Sequence, residues 1–159
     1  MRELARRAVE NTQSMGVAQT SGTLPSTGKP MFSLGEDEME VGIGVHSKRG
    51  IQRTRLSSAE VARILLDRIS LDLGLKRGDN IALLVNRIGS ASLMELLILS
   101  RKTVQLLDEM GVSVIMSSAG NLVTSLDVAG ASLTLVRLDD ELRLMLAAPD
   151  TTPSFPKII

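Results

Sequence analysis

The apolar run from Ile81 to Val85 constrains the fold of this chain more than any other feature. A strand with one exposed face alternates apolar and polar residues, whereas a strand covered on both faces is apolar throughout. The run therefore predicts a strand inside a sheet that has helices on both faces. With 159 residues, the chain is long enough for one domain that buries roughly 70% of its unfolded surface.

Helical and strand patterns alternate along the rest of the chain. Predicted helices cover residues 2–13, 92–110 (with Gly111 as a stop) and 139–147, and another begins at the Ser57 to Glu60 capping box and buries Val61, Ile64, Leu65 and Ile69. Predicted strands cover 15–20, 38–46, 81–85, 112–116 and 132–138, residues 21–30 form a loop, and 120–128 are strand or turn. This order predicts one layered α/β domain over 1–150, with a mixed β-sheet covered by helices, and a loose tail over 151–159.

Composition excludes several classes of protein. Lysine and arginine number 18, as do aspartate and glutamate, and the chain has two phenylalanines but no tyrosine or tryptophan. A nucleic-acid binder that neutralises phosphates or stacks bases is therefore not expected. The absence of cysteine excludes disulfides and thiolate chemistry. No apolar run is long enough to cross a membrane and no secretory signal is visible, so we expect a cytoplasmic protein.

Apparent phosphate and metal motifs fail on inspection. Gly22 to Lys29 has five residues between its glycines where a P-loop needs four, and Pro30 replaces the magnesium-binding Ser or Thr. Gly42-Ile43-Gly44 has Ser47 in place of the third glycine of a dinucleotide fingerprint. The acidic group Glu36, Asp37, Glu38 and Glu40 is interpreted as a solvated turn, because charged residues mostly lie in water. We therefore predict no metal site and no cofactor bound by this chain.

The single histidine, His46, lies at the end of the predicted strand 38–46. In a regular strand it shares a face with Gly42 and Gly44, which would leave a shallow space beside the imidazole for a small molecule. A neutral imidazole, with a pKa of about 6.5, is a nucleophile at cytoplasmic pH. The alternative is a partly buried histidine whose neighbouring glycines accommodate a helix, and the residues alone favour this second interpretation.

Three segments alter that balance, because together they resemble the dihydroxyacetone kinase family. They are a Gly-Lys-Pro loop and acidic turn that end in Gly42-Ile43-Gly44-Val45-His46, the stretch 84–89 with Glu95-Leu96, and the stretch 124–139. Ser14 to Ala18 resembles the family's entry strand, and the matches run in family order from about residue 4 to residue 150. The resemblance covers the C-terminal domain of the substrate-binding subunit.

The resemblance implies a role for each of the site residues. His46 would attack the ketone carbon of dihydroxyacetone, or of a related short ketose, and hold it as a covalent hemiaminal, with Gly42, Gly44 and Ser47 beside the substrate. The N-terminal half of the family's subunit supplies a second histidine and an aspartate, while ATP and magnesium are expected on a separate ATP-binding subunit. A homo-oligomer is also expected. Ser47-Lys48-Arg49-Gly50 departs from the family's usual Gly-Glu-Pro-Gly, which reverses a charge beside the site.

Two further groups of residues are weaker candidates. Asn86 and Gly89 follow the buried strand 81–85, where α/β folds place ligands, although a turn-forming role is favoured. For Thr124, Ser125 and Asp127, local hydrogen bonds to the backbone explain the residue types at least as well as catalysis. The first hypothesis is thus part of a short-ketose kinase, encoded alone or cut from a longer protein and incomplete as an isolated chain. The alternatives are a non-catalytic ketose-binding or regulatory protein and a vestigial fragment.

Overall fold

The computed structural model describes residues 2–43, 52–125 and 127–149, and it confirms the α/β class and the mixed sheet covered by helices. The helices are α1 (Arg2–Glu10), α2 (Ser58–Leu73), α3 (Leu93–Met110) and α4 (Asp140–Ala147). The strands are β1 (Thr12–Ala18), β2 (Thr23–Leu24), β3 (Lys29–Pro30), β4 (Met39–Ile43), β5 (Gln52–Thr54), β6 (Asn80–Gly89), β7 (Ser113–Gly120) and β8 (Ala129–Leu138). Among these residues, no helix is long and apolar enough to span a membrane.

The two long helices begin and end at specific residues. The Ser57 hydroxyl accepts a hydrogen bond from the Glu60 backbone N–H, and the Glu60 carboxylate accepts one from the Ser57 N–H, so the predicted capping box is confirmed. Ser92 and Glu95 form the same arrangement at the start of α3. Gly111 adopts a left-handed conformation, φ 73°, directly after α3, which confirms the predicted stop.

The main sheet has the order β5-β4-β1-β8-β6-β7 among the described residues. Strands β6 and β7 are parallel and are joined by the crossover helix α3, whereas all other neighbours in this sheet are antiparallel. Consequently the ends of β1 and β6 and the starts of β4 and β8 lie at one end of the sheet.

Helices cover both faces of β6, as its continuous apolar run predicts. Ile81 and Leu83 pack with α2 and α3 in the main core, and neither side chain is exposed. Ala82 points to the opposite face, where it packs against residues of α1 and α4 such as Leu4 and Leu142. The alternation of faces along one uniformly apolar strand places the sheet between two helical layers.

Some boundaries differ from the sequence prediction. The first helix ends at Glu10 and not at residue 13, because the Thr12 hydroxyl and the Asn11 side-chain amide donate to the Ala8 and Arg7 carbonyls of its last turn. The predicted loop 21–30 contains the short β2–β3 hairpin. Residues 121–128 lie between β7 and β8 and contribute no strand among those described, which settles the strand-or-turn alternative in favour of a turn.

Strand β7 forms one edge of the sheet among the described residues. Its sequence, Ser113 to Gly120, contains no charged residue and no proline, and Ile115 is 41% exposed. The opposite edge is formed by the three-residue strand β5, so the two edges differ greatly in length.

Candidate functional site

The candidate site lies on the edge formed by β4 and β5, and a β-bulge at Gly42 determines its backbone. Gly16 of β1 pairs with Ile43, but the next residue, Val17, pairs with Val41, so Gly42 is an extra residue in β4. Its φ of 86° lies in the left-handed region that favours glycine. Bulges of this kind bend an edge strand and redirect the residues that follow.

The bulge corrects the expectation of regular alternation along 38–46. Val41 packs in the main core beneath α2 and α3, whereas Ile43 packs with Ala18 in a second cluster on the opposite face. Two residues that are two positions apart therefore lie on opposite faces, because the extra residue shifts the period of two by one. Simple alternation is thus interrupted at Gly42 within β4, while the face shared by Gly44 and His46 lies outside the described residues.

The other predicted site residues, Gly44, His46 and Ser47, lie outside the described residues. Their assignment as substrate-binding and catalytic residues stays a prediction. What the structure provides is the strand that leads to them, β4, and the strand that follows the segment, β5, with Met39 opposite Thr54 and Val41 opposite Gln52.

The acidic turn before β4 divides into two environments. Glu36 and Asp37 are exposed, as predicted, and Arg55 holds the turn by donating to the Glu36 carbonyl at 2.9 and 3.2 Å from two guanidinium nitrogens. Glu40, however, is only 2% exposed and lies opposite Ala18 in the β1–β4 ladder, so its assignment to a solvated turn was wrong. A run of charges in sequence need not share an environment, because a strand places alternate residues on different faces.

Two pockets lie beside this edge, and Gln19 and Met39 line both of them. One has a volume of about 580 Å³ and is lined by Asp37, Glu38 and Arg55 together with apolar side chains such as Leu56. The second, about 140 Å³, extends between α2, α3 and the sheet and is lined mainly by apolar residues, including Val17, Val61, Met39, Leu96, Leu99 and Ala131. The site therefore offers charged groups and an apolar pocket side by side.

The carboxylate that lines the apolar pocket is that of Glu95. Its pKa lies below the ordinary value because it accepts hydrogen bonds from the backbone and hydroxyl of Ser92, with a further contribution from Gln19. The first two bonds measure 2.7 Å each. Glu95 is therefore ionised at neutral pH and engaged in capping α3, which makes it a poor general base.

Asn86 lies within β6, and not in a turn beyond it as the sequence suggested. Its side-chain oxygen accepts from the backbone N–H groups of Leu122 and Val123, both at 2.9 Å, and its amide nitrogen donates to the Val123 carbonyl at 2.7 Å. A weaker bond of 3.4 Å joins it to Ser132. Since an amide has two donor hydrogens and two acceptor lone pairs, its capacity is fully used: three of these bonds hold residues 122 and 123 in place, and the fourth reaches Ser132 of β8.

Gly89 is equally structural. Its φ is 62°, and a Cβ atom built there would lie 1.8 Å from the carbonyl oxygen of Val128. Its backbone N–H donates to the Thr124 hydroxyl at 3.1 Å, which supports the local hydrogen-bonding role expected of Thr124. Gly89, too, belongs to β6 and not to a turn-forming pair with Asn86.

Asp127 fixes the small hairpin to the same end of the sheet. Its carboxylate accepts from the backbone N–H of Thr23 at 2.8 Å, and hydrogen bonds from the Thr23 side chain and backbone lower its pKa below the ordinary value. Across the described parts of the chain, no group of three or more acidic or histidine residues is arranged to hold a metal ion.

Sequence reasoning did not identify Gln19 and Arg55 as residues of the site. It also did not predict that Glu40 is buried while Glu36 and Asp37 are exposed. The start of α3 was predicted to within one residue, at Ser92, and the Ser92-x-x-Glu95 spacing, which repeats the Ser57-x-x-Glu60 pattern, explains it. No local signal marks Gln19 or Arg55, because their contacts depend on how β1, β4 and α2 come together.

Comparison with known proteins identifies the family. The model of the Dak1 domain matches residues 1–154. The dihydroxyacetone-binding subunit DhaK of the PTS-dependent dihydroxyacetone kinase 2 from Listeria innocua is 41% identical over 156 residues, which is 98% of this chain and 47% of that subunit. The L-erythrulose kinase of Pectobacterium atrosepticum is 38% identical over 160 residues, 98% of this chain and 27% of that enzyme.

Solved structures agree with the sequence comparison. The dihydroxyacetone kinase operon co-activator Dha-DhaQ is 33% identical, with a TM-score of 0.84, over 93% of this chain and 46% of that chain. The chain thus spans about half the length, or less, of the relatives that it matches. The expected resemblance to dihydroxyacetone kinases is confirmed, and the chain belongs to the Dak1 domain family.

Proposed function

We propose that this chain is the substrate-holding domain of a kinase for dihydroxyacetone or a related short ketose, with His46 as the residue that binds the ketone. The proposal is carried by the 41% identity, over 98% of the chain, to a subunit whose name states that it binds dihydroxyacetone. The similarity to an erythrulose kinase favours a substrate class of short ketoses rather than one sugar.

The proposed chemistry is an addition without a leaving group. One imidazole nitrogen of His46 attacks the ketone carbon, the carbonyl π electrons move to oxygen, and the proton from the imidazole N–H is transferred to that oxygen. The product is a hemiaminal whose mass is the sum of protein and ketone. A hemiaminal forms only with a carbonyl group, so this step separates ketoses from glycerol and holds a terminal hydroxyl in place for phosphorylation.

The bulge at Gly42 supports this assignment. Bulges occur preferentially beside active sites, where they redirect a side chain, and this one lies in β4, four residues before His46 in sequence. In our proposal Gly42, Gly44 and Ser47 lie beside the bound ketose. Lys48 replaces the family's usual glutamate and would alter which ketose is preferred.

Phosphoryl transfer requires parts that we assign to partners. In our proposal, ATP and magnesium bind to a separate ATP-binding subunit, and the N-terminal half of the relatives' subunit supplies the remaining substrate contacts. The described acidic turn is engaged with Arg55 and with the Gly35 N–H, which does not favour it as a metal site. The single histidine of this chain is assigned to the ketone, and the resemblance assigns the second one to the N-terminal half. A general base contributes typically ~10²–10⁴-fold. We therefore expect the 159-residue polypeptide, given ATP and magnesium, to show no measurable ketose phosphorylation.

Native mass spectrometry tests the binding step directly. With excess dihydroxyacetone, we expect an added mass equal to the whole ketone on the unaltered chain and no such species on His46→Ala. Glycerol, which has no carbonyl, serves as the matched ligand control and should give no adduct. An adduct of equal abundance on His46→Ala would refute the role of His46.

A regulatory protein is the second candidate. The similarity to an operon co-activator, with a TM-score of 0.84, favours it, as does the replacement of the family's residues by Ser47-Lys48-Arg49. The two functions differ in one measurement. A kinase domain should support His46-dependent phosphorylation once the remaining half and an ATP-binding subunit are added, whereas a regulator should bind ketose without turnover under the same conditions.

A further inference from the structure

The first two turns of α3 carry an exposed apolar surface. Leu93, Met94, Leu97 and Ile98 are 53%, 66%, 49% and 50% exposed, and we call these four residues the α3 apolar surface. Single exposed apolar residues are ordinary in soluble proteins, but a contiguous group marks a site of association. The described chain therefore shows an unpartnered surface at the start of this helix.

The surface is distinct from the helix's buried stripe. The core side of α3 is formed by Leu96, Leu99, Thr103, Leu106 and Leu107. Farther along, the exposed side becomes mostly polar, with Arg101, Gln105 and Asp108. The exposed apolar residues of α3 are thus concentrated at its start, near the C-terminal end of β6.

A cavity continues this surface into the molecule. Ile98 belongs to the α3 apolar surface and also lines the apolar cavity of about 140 Å³, together with Leu99 and Val61. A flat apolar surface joined to a pocket that can receive a side chain is the usual anatomy of a protein interface with an anchor residue. A small ligand in the cavity would leave Leu93, Met94 and Leu97 uncovered.

The guanidinium group of Arg87, at the same end of the sheet, has one nitrogen without a hydrogen-bond partner among the described residues. Arg87 follows Val85 by two positions on β6, so it faces the same helical layer as α3. That nitrogen, Nε, is buried. A buried donor without a partner costs free energy. Because this atom is enclosed, a carboxylate or carbonyl of a docked partner would accept from it only after the Arg87 side chain changes conformation.

We propose that the α3 apolar surface and its cavity are the docking site for the half of the kinase subunit that this chain does not span; this rests on the proposed function. The length of the relatives supports this occupant, because the chain covers 47% of the Listeria subunit and 46% of the co-activator. In those relatives the remaining half is part of the same polypeptide as the matching domain, so in our proposal it is always beside it. A domain that always has such a neighbour can carry an apolar surface that a lone domain would not expose.

Cysteine labelling can test the proposal, because the chain contains no cysteine of its own. Met94→Cys and Ile98→Cys would report on the surface. Leu144→Cys is the matched control, since Leu144 is 67% exposed on α4, on the opposite face of the sheet. Each variant would be labelled with a maleimide in the 159-residue chain and in a chimaera in which this chain replaces the matching residues of the Listeria innocua subunit. Mass spectrometry would assign the labelled positions.

We expect labelling at positions 94 and 98 to be at least tenfold slower in the chimaera than in the isolated chain, with no change at position 144. Equal rates at 94 and 98 in both proteins would overturn the proposal. Protection of the isolated chain that grows with its concentration would assign the surface to a second copy, and protection that needs an added ATP-binding subunit would assign it to that subunit. Either result also overturns it.

A second variant keeps the test independent of labelling. Leu97→Glu should leave the thermal unfolding of the isolated chain unchanged, since the side chain is half exposed, but should lower the unfolding temperature of the chimaera. Leu144→Glu should alter neither protein. The ketone adduct of the chimaera, measured separately, distinguishes failure of the docking surface from failure of the proposed function, because docking needs no ketone.

Discussion

Glycine serves opposite purposes at two places in this sheet, the end of β6 and the bulge of β4. At the end of β6, Asn86 and Gly89 hold the 121–128 connection, Asn86 through hydrogen bonds to residues 122 and 123 and Gly89 through a bond to Thr124 and a close approach to Val128. At the β4 edge, Gly42 instead inserts a residue and bends the strand before the segment that carries His46. Comparison of the two shows that a polar side chain whose donors and acceptors are all used is a structural element, even where α/β folds usually bind ligands.

The largest effect is expected at Gly89. Gly89→Ala places Cβ 1.8 Å from the Val128 oxygen at a positive φ, so we expect a loss of about 4 kcal/mol or more of unfolding free energy, or no folded protein. Gly28→Ala is the matched control, because its φ of 65° is similar and nothing lies within 4 Å. It should cost only about 1–2 kcal/mol. Equal losses in urea denaturation would show that the close approach is unimportant.

Asn86→Ala should be the next most damaging change. It removes the acceptor of the part-buried backbone N–H groups of Leu122 and Val123, and because water can reach them in part, we expect a loss of about 1 kcal/mol for each. Asn86→Asp retains the acceptor and should lose less stability. In either folded variant, the fraction of protein that carries the ketone adduct should be unchanged. A specific loss of adduct without loss of stability would place Asn86 in the binding site and break the comparison.

Gly42→Ala should have the opposite effect to the β6 variants: a modest loss of stability and a larger loss of ketone binding. The positive φ costs roughly 1–2 kcal/mol for alanine. If the bulge positions the segment that follows it, the adduct measured by native mass spectrometry should fall severalfold in the folded variant. Gly28→Ala, with a similar backbone penalty at the exposed turn between β2 and β3, should bind normally. Normal adduct formation in Gly42→Ala would mean that the bulge serves packing alone.

The smallest effect is expected at the start of α3. Ser92→Ala should cost about 1 kcal/mol through loss of the cap. Because the pKa of Glu95 is lowered in the folded state, its contribution is complete above the ordinary pKa of about 4.3 and is lost as the pH falls through the lower folded value. The stability difference between the wild type and Ser92→Ala should therefore shrink below about pH 4. A difference that grows on acidification would contradict the assignment.

Much of the architecture could be predicted because its signals are local. A capping box and a terminal glycine each act through contacts within a few residues, so Ser57 and Gly111 were placed correctly. The uniformly apolar strand required only that both faces be covered. These features depend little on which other segments become neighbours.

The bulge and the buried glutamate could not be predicted in this way. Apolar and other residues alternate regularly around Gly42 in sequence. No local sequence signal shows that β4 has one extra residue there when it pairs with β1. Glu40 resembles its acidic neighbours in sequence, yet it lies opposite Ala18 once β1 and β4 pair. For the site itself, Gly42 is described, while the assignment of His46, Gly44 and Ser47 stays a prediction from family resemblance.

The outer edge of β7 has a practical consequence. In the part of the chain that the structure describes, it offers a row of backbone donors and acceptors over eight residues without the lysine, proline or other charge that usually prevents strands from adding to an edge. Intermolecular sheet extension is therefore the expected route of aggregation when the domain is concentrated or partly unfolded. A lysine at the exposed Ile115 should raise solubility with little loss of stability, which would make the domain easier to handle.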